Sequence, residues 1–226
     1  MHNSALFNVK SFFNSYCNSK DVDVIEIGSY DVNGSARTCV TPNVKKYLGV
    51  DFNPGPGVDL VLTDPYSIPV EDNTYDALIT TSCFEHSELF WLTFLEALRV
   101  VKPNGLVYVN APGAWMPYHR YPVDAWRFYP DSGRALEVWG NRNNIPCVLL
   151  ESYASVPSAA GECSDQVMVF LKDKQFLEQN KNRILDNLEP YKHFVNAFRY
   201  PLNEKFIHGY EYPNFSASLG PDYFHN

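Results

Sequence analysis

The sequence has no cluster of basic residues and no long apolar run. Its formal net charge is −8, and its 18 Lys and Arg residues are scattered along the chain. A general nucleic-acid binder normally carries a basic face, so we expect no nucleic-acid partner and no polyphosphate substrate. No stretch approaches the roughly 18 consecutive apolar residues of a membrane-spanning helix, so we expect no membrane insertion. The charge suits a neutral, amine or cationic substrate better.

The sequence also lacks paired cysteines and a secretory signal. The five cysteines are odd in number and form no CxxC pair, which indicates reduced thiols and argues against a zinc ribbon. The first twenty residues lack the basic start, apolar centre and small-residue exit of a signal peptide. They resemble a short amphipathic helix instead. We therefore expect a cytoplasmic protein.

Apolar strand-like runs alternate with helix-like segments from about residue 22. A helix is predicted from about Ser87, which would cap it, to Val101, and another from Pro130 to just before Gly140. This alternation is typical of a parallel sheet with helices on both faces. The strand-like runs lie at 22–28, 46–52, 58–64, 75–82, 106–112, 147–153 and 166–172.

The length of 226 residues suits one domain with elaborations. We predict an N-terminal helical segment at 1–21, an α/β domain at 22–172 and a C-terminal extension at 173–226. Residues 172–194 have the pattern of a polar helix, and the aromatic end after them suits a tail that wraps the domain or mediates self-association. A homodimer is one form that such self-association would take.

Two carboxylates and a glycine turn predict a nucleoside-shaped pocket. The loop EIGSYDVNGS (26–35) follows the first strand, where Gly28 allows a tight turn, but it matches neither GxGxxG nor a phosphate-binding loop. Asp51 ends the second strand about twenty residues later, where an acidic residue accepts hydrogen bonds from ribose hydroxyls. Asp64 follows the third strand, where it could accept a hydrogen bond from an exocyclic amine such as that of adenine.

Five segments in order resemble the motifs of class I S-adenosylmethionine-dependent methyltransferases. They are VIEIGSYDVNGSAR, YLGVDFNPGPGVDLVLTD, IPVEDNTYDALITTSCFEH, EALRVVKPNGLVYVNAPG and HRYPVDAWRFYP. The first resembles a branch with DVNGS in place of GxGxG, often associated with polysaccharide synthesis. The resemblance covers about residues 22–152. It implies S-adenosylmethionine as cofactor and a Rossmann-like, mostly parallel seven-stranded sheet with its last strand antiparallel, followed by a helical or irregular C-terminal extension.

The resemblance assigns residues to the methionine end of the cofactor. Glu26 and Gly28 match the first motif, whose loop cradles the methionine part, and Ser29 and Tyr30 lie in that loop. Residues 82–86, beginning with Ser82, match the segment that faces the transferred methyl.

The resemblance assigns a second group of residues to the adenosine end. Asp51 matches the ribose-binding acid, with Phe52 beside it against adenine, and Asp64 matches the position that meets the adenine amine. Pro65 departs from the small residue expected there, and it has no N–H to offer adenine.

Three polar residues near the ends of the fourth and fifth strands are candidates for catalysis. An aliphatic hydroxyl is a poor nucleophile towards a sulfonium methyl and needs a general base or a metal. His119 is our preferred base and His86 its alternative, because histidine titrates near neutrality; His86 could instead pack under the cofactor. Asp124 would orient His119 or pair with Arg127.

The segment PYHRYPVDAWRFYP (117–130) is expected to border the acceptor. Flat aromatic faces beside polar groups are common in sites for ring-shaped polar ligands such as sugars. We therefore expect Trp115, Tyr118 and Trp126 to shape the acceptor pocket and Arg127 to hold the acceptor, with Trp126 facing the core as the alternative.

A metal is not expected. Glu85, His86, His119 and Asp124 could converge, but their spacing matches no recognised ligand pattern.

The predicted function is O-methylation of a sugar hydroxyl in a glycan or glycan precursor, with a deoxyhexose such as rhamnose as the narrowest choice. Two alternatives remain open. One is a small-molecule N- or O-methyltransferase, for which neither histidine is essential. The other is a catalytically inactive, methyltransferase-like binding subunit.

Overall fold

The computed structural model describes residues 2–114, 116–120, 122–157 and 164–201. These ranges contain three α-helices and eight strands, joined in places by short 3-10 turns. In chain order the helices and strands are α1 (Asn3–Tyr16), β1 (Val22–Ile27), β2 (Val44–Asp51), β3 (Leu60–Val61), β4 (Tyr75–Thr81), α2 (Phe90–Val100), β5 (Val101–Pro112), α3 (Pro130–Arg142), β6 (Cys147–Ser155), β7 (Asp165–Lys172) and β8 (Phe194–Arg199).

All eight strands form one sheet in the order β3-β2-β1-β4-β5-β7-β6-β8. Strands β1 to β5 are parallel to one another, whereas β7 is antiparallel to β5 and β6, and β8 is antiparallel to β6. The predicted Rossmann-like α/β class is confirmed. The strand order reverses between β1 and β4, so the carboxyl ends of these strands border a crevice suited to a ligand.

The C-terminal part of the described chain differs from the predicted polar helix. Residues 172–194 form two 3-10 turns, Lys174–Gln179 and Ile184–Asn187, and the chain then adds β8 as an eighth strand instead of stopping at seven. The buried Glu151 carboxylate on β6 accepts the N–H groups of Ile184 and Leu185 at 2.8 and 3.1 Å. This tertiary contact supplies hydrogen-bond acceptors to backbone N–H groups that an α-helix would otherwise pair. Tertiary structure therefore overrides the local helical pattern.

Helix α1 packs into the same core as the sheet. Val9, Phe12 and Phe13 are fully buried against residues of β1, β4, β5 and β7. The division at residues 21 and 172 stays a prediction. No helix within the described ranges is both long enough and apolar enough to cross a bilayer.

The other two helices depart from their predicted ends. Helix α2 begins at Phe90, and the Ser87 hydroxyl contacts the Thr93 hydroxyl at 3.1 Å instead of capping the helix. Helix α3 continues past Gly140 and ends at Arg142. A Cβ at Gly140 would lie 2.8 Å from the Cys147 Sγ and 2.9 Å from the Leu98 Cδ1, so glycine allows close packing of α3 on its neighbours.

The Glu151→Ala variant is expected to lose about 3 kcal/mol of unfolding free energy. Besides the two turn N–H groups, the Glu151 carboxylate accepts a hydrogen bond from the Tyr16 hydroxyl at 2.6 Å. Removing the carboxylate therefore leaves three buried donors without a hydrogen-bond partner. Tyr16→Phe removes one hydrogen bond and should cost about 1 kcal/mol. Thermal unfolding of both variants measures the difference. Equal midpoints for the two variants would contradict a central role for Glu151 in joining α1, β6 and the C-terminal turns.

Candidate functional site

A cavity of about 340 Å³ lies at the carboxyl ends of β1, β2 and β4. The chain leaves β1 at Gly28, whose φ of +80° favours glycine, and a Cβ there would lie 2.7 Å from the Cys83 Cβ. Ser82, after β4, also has a positive φ (49°), and its N–H donates to the Asn110 carbonyl at 2.9 Å. Such a conformation in a residue with a side chain is uncommon and occurs often at functional sites.

Asp51 is held rigidly at the floor of this cavity. Its Oδ2 accepts the Tyr30 N–H at 3.2 Å and its Oδ1 accepts the Asn53 N–H at 2.9 Å, and the residue is 8% exposed. A carboxylate has about four acceptor positions, so two remain for the hydroxyls of a ribose. The Phe52 ring beside it is 45% exposed and lines both this cavity and a neighbouring one of about 210 Å³.

Asp64 is not among the residues that line either cavity, and its predicted contact with adenine stays a prediction. Its side chain is exposed, and its Oδ1 accepts the Tyr66 N–H at 2.8 Å in a tight turn. The flanking Leu62 and Pro65 line the smaller, mostly apolar cavity instead. Strand β3 ends at Val61, so the chain has already turned away from the sheet when it reaches Asp64.

The methionine end of the proposed cofactor site carries an orphaned polar atom. Within the described ranges, no group hydrogen-bonds the buried Ser29 Oγ, although Ser29 lines the larger cavity. Buried hydroxyls normally have partners, so this hydroxyl is an exception among the described residues. Glu26 lies beside it, almost fully buried, and accepts the Tyr47 hydroxyl at 2.7 Å.

Cofactor binding is expected to strengthen as pH rises through neutrality. Burial raises the pKa of Glu26 to about 7, against the opposing effects of Tyr47 and Arg37. Below that pH the carboxyl is neutral and offers no counter-charge to the methionine ammonium; above it the ionic pair forms. We expect the Kd of S-adenosylmethionine to fall about 3- to 10-fold from about pH 6 to about pH 8. Calorimetry should show this dependence in the native protein and lose it in Glu26→Gln; the same slope in both would exclude Glu26.

Two histidines converge at the mouth of the cavity. The Glu85 Oε1 lies 3.7 Å from the His86 Nε2 and 3.9 Å from the His119 Nε2, and the Glu85 side chain is 1% exposed. The two rings are nearly perpendicular, with centroids 5.2 Å apart. The Glu85 carboxylate, then the Pro117 carbonyl, raise the pKa of His119 above its ordinary value, whereas burial opposes the rise. Both predicted catalytic histidines therefore line one cavity.

Asp124 holds the 117–130 segment together. Its Oδ2 accepts the His119 backbone N–H at 2.6 Å and an Arg127 N–H at 2.7 Å, and it lies 3.5 Å from the His119 Nδ1. The Arg127 guanidinium holds the pKa of Asp124 well below its usual range. Both alternatives predicted for Asp124, orienting His119 and pairing with Arg127, are present in the structure.

Arg127 and Trp126 are not among the residues that line the cavity, and their predicted acceptor contacts stay predictions. Arg127 donates to Asp124 and to the carbonyls of Met116 and Pro117, so it fixes the segment from within. The Trp126 indole donates to the Ser87 carbonyl at 3.1 Å and packs against aromatic rings of α2. The sequence pattern could not separate these roles, because aromatic residues are equally typical of cores and of sugar sites.

The remaining predicted acceptor residues are only partly placed. Tyr118 is 71% exposed beside His119, and Trp115 lies outside the described residues. The cavity-lining residues that are absent from the predictions include His2, Met116 and Pro122. His2 precedes α1 and pairs with Asp165 on β7 at 3.0 Å, a contact between distant parts of the chain that no local pattern signals.

The comparison with protein families identifies the domain around this cavity. Residues 28–109 match the family model described as a methyltransferase domain. The chain therefore carries an S-adenosylmethionine-dependent methyltransferase domain. The matched residues run from Gly28 through Asp51 and the histidine His86 to β5, so they include most of the cavity wall. S-adenosylmethionine is the cofactor. No curated protein matches the methyltransferase in sequence.

Solved structures resemble the methyltransferase in fold. The 1,6-didemethyltoxoflavin N1-methyltransferase of Burkholderia thailandensis, solved with S-adenosylhomocysteine, has a TM-score of 0.57 at 13% identity over 75% of this chain and 79% of its own. YcgJ of Bacillus subtilis has a TM-score of 0.55 at 14% identity over 76% of this chain and 100% of its own. The [4+2]-cyclase SpnF has a TM-score of 0.57 at 12% identity, over 74% of this chain and 80% of its own. These likenesses show the shared fold and leave the acceptor open.

Proposed function

We propose that the protein transfers the methyl group of S-adenosylmethionine to a sugar hydroxyl of a glycan or glycan precursor, with a deoxyhexose such as rhamnose as the narrowest choice. The observation that carries this proposal is the pair of imidazole Nε2 atoms at the mouth of the cofactor cavity. An amine acceptor would not need such groups, whereas an aliphatic hydroxyl must lose a proton during transfer.

The residues that would hold the cofactor follow one wall of the cavity. Asp51 and Phe52 would hold ribose and adenine, and Pro65 borders the apolar cavity beside them. Glu26, Gly28, Ser29, Tyr30 and Ser82 would surround the methionine part, which directs the sulfonium towards the two histidines. When bound, the cofactor supplies an electrophilic methyl for in-line displacement.

The acceptor would enter from the side of the 117–130 segment. His119 and Pro122 line the cavity there, and exposed Tyr118 is adjacent. His119 Nε2 is the proposed base, with His86 Nε2 as its alternative, and Asp124 positions the His119 ring. As the hydroxyl oxygen forms its bond to the methyl carbon, the carbon–sulfur bond breaks and the hydroxyl proton passes to the imidazole.

The low density of positive charge supports an uncharged acceptor. Apart from Arg120, the cationic side chain nearest to His119 in the sequence is Arg127, which is paired with Asp124. The net charge of the chain is −8. Two alternatives stay as outcomes of the test: a small-molecule N- or O-methyltransferase and an inactive binding subunit.

The experiment is incubation of the protein and S-adenosylmethionine with two panels, one of glycosides and one of small amines and phenols. Mass spectrometry detects products carrying one added methyl group. We expect methylation in the glycoside panel. Methylation of amines or phenols alone would favour the small-molecule alternative, and cofactor binding without any product would favour the inactive subunit.

A further inference from the structure

We propose that Glu85, His86 and His119 bind one divalent transition-metal ion at the mouth of the cofactor cavity. Although the spacing of these residues matches no recognised ligand pattern, the structure brings a ligand atom from each residue within 4.8 Å of the others. Glu85 and His86 lie in the 3-10 turn after β4, and His119 comes from the 117–130 segment. A ligand set assembled from two separate segments has no local sequence signature.

The distances suit three ligands around one small ion. Metal–nitrogen and metal–oxygen bonds of about 2.1 Å in tetrahedral geometry place ligand atoms about 3.4 Å apart. The Glu85 Oε1 lies 3.7 Å from the His86 Nε2 and 3.9 Å from the His119 Nε2. These two pairs would each need to close by half an ångström or less, and the three ligand atoms all lie within 4.8 Å of one another. Two imidazoles and one carboxylate favour zinc-like ions over Mg²⁺, which prefers oxygen ligands.

Both imidazoles are already oriented as metal ligands. The His86 Nδ1 hydrogen-bonds the Val123 carbonyl, and the His119 Nδ1 hydrogen-bonds the Pro117 carbonyl at 3.0 Å. Because a carbonyl only accepts, each Nδ1 carries a proton, and in the neutral imidazole the lone pair available to an ion is then on Nε2. Metal-bound histidines typically have such a carbonyl or carboxylate on the other ring nitrogen.

One oxygen of the Glu85 carboxylate, Oε2, has no hydrogen-bond partner within the described ranges. The Glu85 side chain is 1% exposed. A buried carboxylate is costly unless it is paired or coordinates a metal. A metal cation between the Glu85 Oε1 and the Nε2 atoms of His86 and His119 would neutralise the negative charge of the carboxylate.

The proposed site is open on the cavity side, since His86 and His119 line the cavity. Three protein ligands with a vacant fourth position are typical of catalytic metal sites. On the proposed function, which this step rests on, the acceptor hydroxyl would bind at the vacant position and the ion would lower its pKa. His119 would then act as a ligand and not as the base. The proton would leave to water while the oxygen attacks the methyl carbon and the carbon–sulfur bond breaks.

Titration of untagged, chelator-treated protein with Co²⁺ tests the site without any substrate. We expect visible d–d absorption that saturates at one Co²⁺ per chain, is displaced by Zn²⁺, and is unaffected by Mg²⁺. Glu85→Gln and His119→Ala should each weaken Co²⁺ binding at least about 10-fold. His193→Ala is the matched control, because this histidine stacks on Phe7 far from the site and should bind like the native chain.

The outcomes separate the metal site from the proposed function. The site would be overturned if Co²⁺ produced no d–d absorption. It would also be overturned if the native protein and a double variant, with Glu85→Gln and His119→Ala together, bound Co²⁺ equally. Either result would hold even if sugars are methylated. Saturable Co²⁺ binding that both single variants weaken would establish it even if no sugar is methylated. His119 is partly exposed, so its variant reports on the ion even if Glu85→Gln fails to fold.

Discussion

The Asp51→Ala variant is expected to bind S-adenosylmethionine about 100-fold more weakly than the native protein. The carboxylate lies at the floor of the cavity with two backbone N–H groups already bound to it. Its two remaining acceptor positions would serve the ribose hydroxyls, and hydrogen bonds to a charged group are worth about 1.5–3 kcal/mol each. Isothermal calorimetry at fixed pH measures the change in Kd.

Asp64→Ala is the matched control for Asp51→Ala. Asp64 also follows a strand of the same sheet edge, but its side chain is exposed and outside both cavities. We expect its Kd to stay within about 3-fold of the native value. A loss of affinity at Asp64 as large as at Asp51 would show that the cofactor extends further than the described cavities, and an unchanged Kd in Asp51→Ala would remove Asp51 from the cofactor site.

The His119→Ala variant should lower kcat on a sugar acceptor by about 100- to 10,000-fold, the range that proton transfer contributes to catalysis. The side chain supplies the Nε2 at the cavity mouth, whether it takes the proton or holds an ion. Affinity for S-adenosylmethionine should change little, because His119 is not among the predicted cofactor contacts. Steady-state kinetics with the acceptor found by mass spectrometry measures kcat, and calorimetry measures cofactor affinity.

His193→Ala provides the comparison for this loss as well. It removes a histidine whose Nδ1 accepts the Glu189 N–H in a surface turn, so turnover should be unaffected. If His119→Ala methylates the sugar at the native rate, His119 is neither base nor ligand. The Co²⁺ titration distinguishes those two roles.

The sheet and the cofactor side of the site could be predicted because they depend on local signals. Alternating apolar runs predict strands, and a glycine turn with an acid at the next strand end predicts where a nucleoside binds. Gly28 and Asp51 line the same cavity, as that order implies. The sequence did not show that strand β3 is only two residues long and ends before Asp64, whose side chain lines neither cavity.

The acceptor side could not be predicted because its geometry is tertiary. The aromatic pattern of the 117–130 segment could not show that Trp126 packs on α2 while His119 faces the cavity. Nor could residue spacing show that Glu85 lies between two histidines from different segments. The same limitation applies to β8, since its contact with β6 joins distant parts of the chain.

A crystal structure of the protein with S-adenosylhomocysteine tests the account most directly. The account predicts ribose hydroxyls within hydrogen-bond distance of the Asp51 carboxylate, adenine against Phe52, and the sulfur directed towards His86 and His119. A nucleoside bound elsewhere, or a sulfur directed away from the two histidines, would contradict it.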